Sequence, residues 1–187
     1  NLTALDIGTG SGSNIIPLID NGFKIDAIDF SVTSINLCKD SFKNFKEVNF
    51  LKADMTSIPF ENNKYDVVID IFSSYALKTN EGNTFLKEVK RLLKPGGVFF
   101  TYFPSKKSYS WLSASKETLV DRNTLSSIKV KDAPYYGNNY NFRFHTNSEY
   151  SNMIKKTGLK VKFNETLTRT YRERKIKSEF HIIEAFK

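Results

Sequence analysis

Glycines and a carboxylate near the start of the chain have the types and spacing of a ligand-binding turn. The glycines alternate at Gly8, Gly10 and Gly12, and Asp6 precedes them by two residues. A residue without a Cβ adopts positive φ angles and lets a ligand approach the backbone closely. The amides at the start of the following helix favour a polar or anionic group. The run indicates a ligand site, although such a turn is also simply a compact way to join a strand to a helix.

Two further carboxylates follow the next two predicted strands. Asp29 lies 17 residues beyond Gly12, and Asp54 closes the strand after it. Open α/β sheets bind ligands at the carboxyl ends of their strands, and an acid placed like Asp29 accepts hydrogen bonds from a ribose diol. Its neighbour Phe30 is placed to lie against a base. The pattern predicts a nucleoside-containing ligand along this edge.

Alternating strand and helix signals must position these groups. Such alternation at short intervals is typical of βαβ units. Strands are predicted over residues 3–7, 24–30, 48–52, 65–71 and 98–103, and helices over 14–20, 31–42 and 81–93. The near-continuous apolar run 65–71 indicates a strand covered on both faces, in the middle of the sheet.

The last third of the chain follows a different pattern. From about residue 104 to 145 the periodicity is lost and aromatic residues stand among polar ones, which predicts a substrate lid. A capping box at 146–149 starts a helix to Lys156. Two strands, 159–171 and 178–187, are predicted to pair antiparallel, because their connection is too short for a parallel crossover.

Composition limits the class of protein. The 187 residues contain one cysteine and two histidines, and no apolar stretch long enough to cross a membrane. We therefore expect a cytoplasmic protein without a disulfide framework, a metal site or a membrane partner. The net charge of +8 comes mostly from scattered lysines, which makes nucleic acid an unlikely partner. The chain begins directly in its first predicted strand, so a preceding segment is expected to be missing or short.

Together these motifs resemble the class I S-adenosylmethionine-dependent methyltransferases of the small-molecule type. The resemblance covers nearly the whole chain. The matching features are Asp6 to Gly12, Asp29, Asp54 with Met55, the Leu-Lys-Pro-Gly-Gly turn at 93–97 and the terminal hairpin. A nicotinamide-binding enzyme is the alternative, but its third spaced glycine would fall at Ser13.

The resemblance implies the fold and the cofactor site. The expected fold is α/β: a Rossmann-like, seven-stranded, mostly parallel sheet with an antiparallel C-terminal hairpin strand, helices on both faces, and one domain over residues 1–187. The cofactor is S-adenosylmethionine, released as S-adenosylhomocysteine. Its implied contacts are Asp6, Gly8, Gly10, Gly12 and the main chain near Ile71 for the methionine end, Asp29 and Phe30 for the nucleoside, and Asp54 with Met55 for the adenine.

Candidates on the acceptor side follow strands four and five, lie in or next to the lid, or, for Arg169, lie near the end of the strand predicted over 159–171. Asp70 and His145 are the candidate general bases, each with a structural alternative. Tyr75 and Tyr102 are candidates for the acceptor pocket, with simple packing as the alternative. Arg143 and Arg169 are suited to an anionic acceptor, and exposure to solvent is the alternative for both.

The expected function is methyl transfer to an oxygen or nitrogen of a small polar metabolite. A nucleic-acid methyltransferase and a non-catalytic protein that senses the cofactor are the two alternatives. The sequence does not identify the acceptor or the oligomeric state, because function resides in sites grafted onto a fold.

Overall fold

The computed structural model describes residues 2–187 and contains one large sheet, one small sheet and the helices between their strands. The elements in chain order are β1 (Leu2–Ile7), α1 (Ile15–Asp20), β2 (Phe23–Asp29), α2 (Val32–Ser41), β3 (Val48–Lys52), β4 (Tyr65–Ile71), α3 (Thr79–Leu92), β5 (Leu93–Pro104), α4 (Tyr109–Leu112), β6 (Leu119–Asp121), β7 (Thr124–Leu125), β8 (Phe142–Arg143), α5 (Asn147–Lys156), β9 (Lys160–Tyr171) and β10 (Ile176–Phe186). Between residues 2 and 187, none of the helices is long and apolar enough to cross a membrane.

The large sheet has the order β3-β2-β1-β4-β5-β10-β9. Strands β1 to β5 pair in parallel, and β10 is antiparallel to both β5 and β9. The predicted fold, a seven-stranded and mostly parallel sheet with a C-terminal hairpin, is confirmed. Strands β1 and β4 pair in parallel with each other, so their carboxyl ends are adjacent.

Helices cover both faces of the sheet, as predicted. On one face, a core that includes Ala4, Ile25 and Phe50 packs against Ile35 and Cys38 of α2. On the other, a larger core joins α3 and α5 to the sheet through residues such as Phe85 and Tyr150. Because neighbouring residues of a strand point to opposite faces, strands β1 to β4 contribute to both cores, whereas β5, β9 and β10 contribute to the larger one.

Strand β5 starts earlier than predicted, at Leu93 instead of Val98. The Lys-Pro-Gly-Gly turn lies within this strand, where the register with β4 shifts. Tyr65 pairs with Leu93, but Val67 pairs with Val98. The Gly96 amide also donates to the Lys187 carbonyl at 3.0 Å. The C-terminal strand therefore supplies bonds that the local sequence pattern does not reveal.

The segment between β5 and α5, which we call the insertion, has structure of its own. It contains α4 and the three-stranded sheet β6-β7-β8. Its small core includes Leu125, Ile128 and Phe142. The aromatic residues that looked irregular in sequence thus close a separate hydrophobic cluster at the edge of the large sheet.

Candidate cofactor and acceptor site

The predicted cofactor residues line up along one edge of the sheet. The carboxyl ends of β3, β2, β1 and β4 are neighbours, and they lead into Asp54, Asp29, the glycine turn and Ile71. Neighbouring strands are about 4.8 Å apart, so this edge is about 14 Å long. A nucleoside with an attached chain suits such a linear arrangement.

Asp6 has a buried carboxylate with one oxygen unused. The Asn14 amide donates to Oδ1 at 3.1 Å, whereas Oδ2 has no partner among the described residues. Burial raises the pKa of Asp6 to about 6, and the nearby Thr9 hydroxyl and Asn14 amide lessen that rise. An unpaired, buried carboxylate oxygen is costly unless a ligand satisfies it. Asp6 is therefore suited to a cationic ligand group.

The three glycines have different surroundings. A Cβ on Gly8 would lie 2.2 Å from Ser73 Cβ, and one on Gly12 would lie 2.5 Å from the Phe42 ring. A Cβ on Gly10 would meet nothing closer than 4.0 Å. Gly8 and Gly12 are therefore required by protein packing, and Gly10 is the glycine whose Cα faces open space.

The amides of the glycine turn are already used within the protein. Gly8 N donates to the Ile28 carbonyl at 2.8 Å, and Gly10 N donates to Asp29 Oδ2 at 2.9 Å. Gly12 N donates to the Thr9 carbonyl at 2.8 Å. These three amides are therefore not free to bind a ligand. The electrostatics of the turn are set instead by the carboxylates of Asp6 and Asp29.

Asp29 joins the second strand to the glycine turn and keeps acceptor capacity. Its Oδ1 accepts from Ser31 N at 2.8 Å, and its Oδ2 accepts from Gly10 N at 2.9 Å. Each carboxylate oxygen can accept a further bond. Phe30, the next residue, is 71% exposed. A ribose on Asp29 and a base on the Phe30 ring fit this geometry.

Asp54 and Met55 stand at the end of the edge, after β3. Asp54 is exposed, and its Oδ1 accepts from the Thr56 amide and hydroxyl, each at 2.7 Å. Met55 is half-buried against the larger core. The pair presents one carboxylate oxygen and one apolar side chain, as a base with an exocyclic amine would require.

Beyond Ile71, the chain enters a group of rings that we call the aromatic cluster. Ile71 is 38% exposed at the end of β4, and Phe72 follows it with a positive φ of 57°. The Phe72 ring lies within 6.0 Å of each of the other rings of the cluster, and these belong to Tyr75, Tyr102, Tyr135, Phe142 and Phe180. A bulky residue in the left-handed region stores strain, and such strain concentrates at functional sites.

Tyr102 belongs to this cluster, and the charge of Arg169 acts on it. Tyr102 stacks on Phe180 with ring centroids 4.7 Å apart. Its hydroxyl is buried and has no hydrogen-bond partner within residues 2–187. Burial raises the pKa of Tyr102 to about 12, and the positive charge of Arg169 limits the rise. The cluster thus contains an unused hydroxyl with a guanidinium close by.

The insertion closes over the cluster. Tyr135 has a positive φ of 67° and places its ring 5.3 Å from the rings of both Phe72 and Phe142. The insertion therefore packs directly on the rings of the cluster. A separate cavity of about 10 Å³ lies behind Tyr135, against Pro134, Phe144 and Ser178.

Asp70 is placed differently from an acceptor-facing base. It is fully buried, and its Oδ1 accepts from the Ser73 and Ser74 amides at 3.2 and 2.9 Å. Its Oδ2 accepts from the hydroxyls of Ser74 and Thr101 at 2.5 and 3.1 Å. These bonds hold the turn after β4, so the geometry favours the structural alternative.

His145 is not brought to Tyr75 and Tyr102. It packs on Phe103, at 5.5 Å, and stacks on Tyr150, at 5.6 Å between ring centroids. Phe103 and Tyr102 are successive residues of β5, so they point to opposite faces of the sheet. Burial and the nearby Arg143 charge lower the pKa of His145 to about 3. A neutral, fully buried imidazole on the far face is not placed to act as a base.

Arg143 is also absent from the acceptor side. Its side chain is 0% exposed and lies over the Phe103 ring at 4.9 Å. Exposure to solvent, the alternative expected from sequence, is therefore wrong for Arg143. Of the two candidate arginines, only Arg169 lies near the aromatic cluster.

Three residues of the site were missed by sequence reasoning. Phe72 shows its importance only through its backbone angle, and Phe180 only through strand pairing. Ser73 fills the space beside Gly8, and its hydroxyl donates to the Ile7 carbonyl at 2.8 Å. The one sequence signal was the position of residues 72 and 73 directly after the central strand.

Comparison with known proteins gives the family. A family model described as "Methyltransferase domain" matches residues 4–97, just over half of the chain. The matched part contains the whole acid and glycine edge. It ends before the insertion, so the match concerns the cofactor side.

Three sequence relatives have different acceptors in their names. A demethylmenaquinone methyltransferase of Renibacterium salmoninarum is 33% identical over 50% of this chain and 37% of its own length. A sterol 4-C-methyltransferase of Caenorhabditis elegans is 30% identical over 54% of this chain and 31% of its length. The tRNA N(3)-cytidine methyltransferase METTL2 of Gallus gallus is 31% identical over 50% of this chain and 28% of its length. The chain thus matches about a third of each relative.

Two solved structures share the fold. A SAM-dependent methyltransferase from Methanosarcina mazei superimposes with a TM-score of 0.80 at 18% identity, over 99% of this chain and 92% of that one. The 1,6-didemethyltoxoflavin-N1-methyltransferase of Burkholderia thailandensis, solved with 1,6-didemethyltoxoflavin and S-adenosylhomocysteine, gives 0.71 at 13% identity over 99% and 70%. With the family match and the strand order, these likenesses show that the chain belongs to the class I S-adenosylmethionine-dependent methyltransferases.

Proposed function

We propose that this chain binds S-adenosylmethionine along the carboxyl edge of β3, β2, β1 and β4 and transfers its methyl group to a small molecule. The observation that carries the proposal is the unpaired, buried Oδ2 of Asp6, at the end of β1, together with the open Cα of Gly10 in the turn that follows. This pair offers a negative charge and free space at the same turn. Both are needed for the ammonium-bearing methionine end of the cofactor.

The other residues of the edge fit the rest of the cofactor. Asp29 would accept from the ribose hydroxyls, Phe30 would cover the base, and Asp54 with Met55 would meet the adenine. When bound, the cofactor supplies a methyl group on a sulfonium, which is both electrophile and leaving group. The work of the chain is then to orient an acceptor and exclude water, and such orientation is worth roughly 7–11 kcal/mol of the barrier.

For the acceptor, we propose a small molecule that has a flat ring and an oxygen or nitrogen nucleophile. The rings of the aromatic cluster surround the position beyond Ile71, and offset stacking favours a flat partner. The unused Tyr102 hydroxyl would donate to the acceptor, and Arg169 would favour an anionic group on it. The small polar metabolite expected from sequence is thereby refined to one with an aromatic or conjugated part.

Methylation of a nucleic acid is the second candidate activity, because one relative acts on tRNA by its name. Single-stranded substrates are held by rings that stack on bases and by a basic groove. Here, however, Tyr135 and Phe142 face each other and Phe72. A cluster closed on itself suits a small acceptor better than a strand.

The cofactor proposal is tested by calorimetry with S-adenosylhomocysteine. We expect wild type to bind and Asp29→Ala to bind about 10–100-fold more weakly, because two hydrogen bonds to a charged group are lost. Asp40→Ala is the matched control, since Asp40 is an exposed aspartate on α2. Lack of binding by wild type, or equal binding by Asp29→Ala, would contradict the proposal.

Turnover separates an enzyme from a non-catalytic cofactor sensor. S-adenosylmethionine is incubated with the protein and a panel of phenols, hydroxyquinones and aromatic amines, and S-adenosylhomocysteine is measured. We expect at least one ring-containing acceptor to be methylated, with aliphatic polar metabolites inert. Tight cofactor binding with no turnover on any acceptor would favour the sensor.

A further inference from the structure

Arg143 occupies a slot that exists because α3 has a glycine. The arginine belongs to β8 in the insertion, and its guanidinium reaches the first turns of α3. A Cβ on Gly82 would lie 1.4 Å from Arg143 Nη1 and 2.3 Å from Cζ. Any other residue at position 82 would therefore displace the guanidinium. Through this contact, the insertion packs closely against α3.

The guanidinium makes one directed bond. Nη2 donates to the Ser74 carbonyl at 3.0 Å, and Nε and Nη1 have no partner in the part of the chain that the structure describes. No carboxylate of residues 2–187 lies within 4.0 Å of Arg143. A buried and incompletely paired charge does not add stability. Its effect must therefore be sought in what the Ser74 bond holds.

Ser74 belongs to the turn that supports the cofactor edge. The preceding residue, Ser73, fills the space beside Gly8 and lies 2.8 Å from the Ile7 carbonyl through its hydroxyl. Asp70 fixes both serine amides. The arginine, the serine turn and the glycine turn are thus in direct contact, one after another. These contacts join the insertion to the backbone at Gly8.

We propose that Arg143 is a positioning residue that couples the insertion to the cofactor turn, by holding the Ser74 carbonyl and, through Ser73, the backbone at Gly8. Arg143 cannot bind acceptor or cofactor itself, because it is 0% exposed. When the bond between Arg143 and Ser74 is lost, the side-chain support of the backbone at Gly8 is weakened. The identity of the ligand rests on the proposed function, but the mechanical coupling does not.

The first test compares Arg143→Met with Arg122→Met. Methionine keeps the stem of the side chain and removes the donors, and Arg122 is an exposed arginine of the same insertion. We expect Arg143→Met to bind S-adenosylhomocysteine about 5–10-fold more weakly, and Arg122→Met to bind like wild type. Arg143→Lys, which keeps the charge without the planar fork, is expected to lie between wild type and Arg143→Met, and it serves alone if the methionine variant does not fold. Wild-type affinity in a folded Arg143 variant would overturn the proposal.

A double-mutant cycle distinguishes positioning from general destabilisation. Gly82→Ala displaces the guanidinium and should weaken S-adenosylhomocysteine binding as Arg143→Met does. In the double variant, Gly82→Ala with Arg143→Met, the alanine has no guanidinium to displace, so the double variant should bind S-adenosylhomocysteine as tightly as Arg143→Met alone. Additive losses would mean that the two residues act independently and would overturn the coupling.

Hydrogen exchange keeps the test independent of the cofactor. In Arg143→Met, amides of residues 8–10 and 73–77 should exchange faster than in wild type, whereas those of β2 should not change. This holds even if wild type binds no S-adenosylhomocysteine, an outcome that would refute the proposed function alone. Unchanged exchange in both segments would overturn the coupling.

Discussion

The cofactor edge and the aromatic cluster lie side by side, yet one is open and the other is closed. On the edge, Asp6 keeps an unpaired oxygen, Gly10 faces free space and Phe30 is 71% exposed. In the cluster, the rings of Tyr135 and Phe142 pack on Phe72, with centroids 5.3 and 6.0 Å away. The cofactor side is therefore preformed, whereas the acceptor side is filled by its own rings, and we expect it to rearrange when an acceptor binds.

The difference follows from how each region is held. Backbone bonds of parallel strands fix the edge from both sides. The insertion is attached to α3 by side chains, through Asp121, which accepts from the Thr79 amide and hydroxyl at 3.1 and 2.9 Å, and through the fit of Arg143 against Gly82. Within residues 2–187, backbone bonds join the insertion only at its two ends, for example from Lys106 N to the His145 carbonyl and from His145 N to the Pro104 carbonyl. Side-chain contacts such as those to α3 open at a lower free energy than the pairing of a sheet.

The largest effect is expected from the glycines of the edge. Gly8→Ala places a Cβ 2.2 Å from Ser73 Cβ in a residue with φ of +71°. Strain and overpacking together should lower the free energy of unfolding by about 3 kcal/mol or more. Gly10→Ala should lower the free energy of unfolding by only about 1–2 kcal/mol, yet it should weaken S-adenosylhomocysteine binding. Urea unfolding measures the stability of the two variants, and calorimetry measures their affinity. Equal destabilisation by the two variants would contradict the distinction between them.

Asp6→Asn should make the protein more stable but weaken its binding of S-adenosylhomocysteine. The variant removes the cost of ionising a buried carboxyl, so at pH 7.5 it should be more stable than wild type by roughly 1–3 kcal/mol. Because the pKa of Asp6 is raised to about 6, the carboxyl of folded wild type becomes protonated as the pH falls towards 4. Wild type then becomes more stable, and the difference in the free energy of unfolding between Asp6→Asn and wild type becomes smaller. S-adenosylhomocysteine affinity should fall about 100-fold at pH 7.5. Chemical denaturation at both pH values checks the sign, and tight binding by the variant would contradict the role of Asp6.

His145 should affect stability and not chemistry. Its pKa is lowered to about 3, so the neutral form stabilises the fold above the unfolded pKa near 6.5, and this is lost as the pH falls below it. By pH 4 the loss should be roughly 1–3 kcal/mol and smaller in His145→Gln. Around neutral pH, kcat/KM of His145→Gln should vary with pH as it does in wild type. A lost inflection near pH 6–7 would instead show that His145 is a base.

Tyr102→Phe should give the smallest effect and report on the cluster. Removing an unpaired buried hydroxyl leaves the free protein equally or slightly more stable. For an acceptor found in the panel, KM should rise roughly 5-fold with cofactor affinity unchanged. Tyr136→Phe is the control, because Tyr136 is 59% exposed. An unchanged KM would place the acceptor away from this hydroxyl.

The edge could be predicted from sequence because its signals are local. Glycine spacing at 8–12 and the acids at 29 and 54 each follow a strand whose apolar run is visible in the sequence. Strand order then brings them together without further information. Even so, the sequence did not show that only one of the three glycines faces open space, since Ser73 and Phe42 come from distant parts of the chain.

The acceptor side could be predicted only in part, because its contacts are long-range. The positions of Tyr75, Tyr102 and Arg169 near strand ends predict a place at the acceptor site. Tyr75 and Tyr102 lie in the cluster, and the charge of Arg169 acts on Tyr102. Arg143 and His145 looked equivalent to them in sequence. Their burial depends on Gly82 and Phe103, which contact the insertion only after the chain has folded.

The most direct test of the open edge is a crystal structure of the protein with S-adenosylhomocysteine. We expect its ribose hydroxyls on Asp29, its amino group beside Asp6 and its sulfur near Ile71, at the side of the aromatic cluster. The backbone of residues 6–12 should move little, since the edge is preformed. Binding elsewhere, or a glycine turn that must rebuild to admit the ligand, would contradict the account.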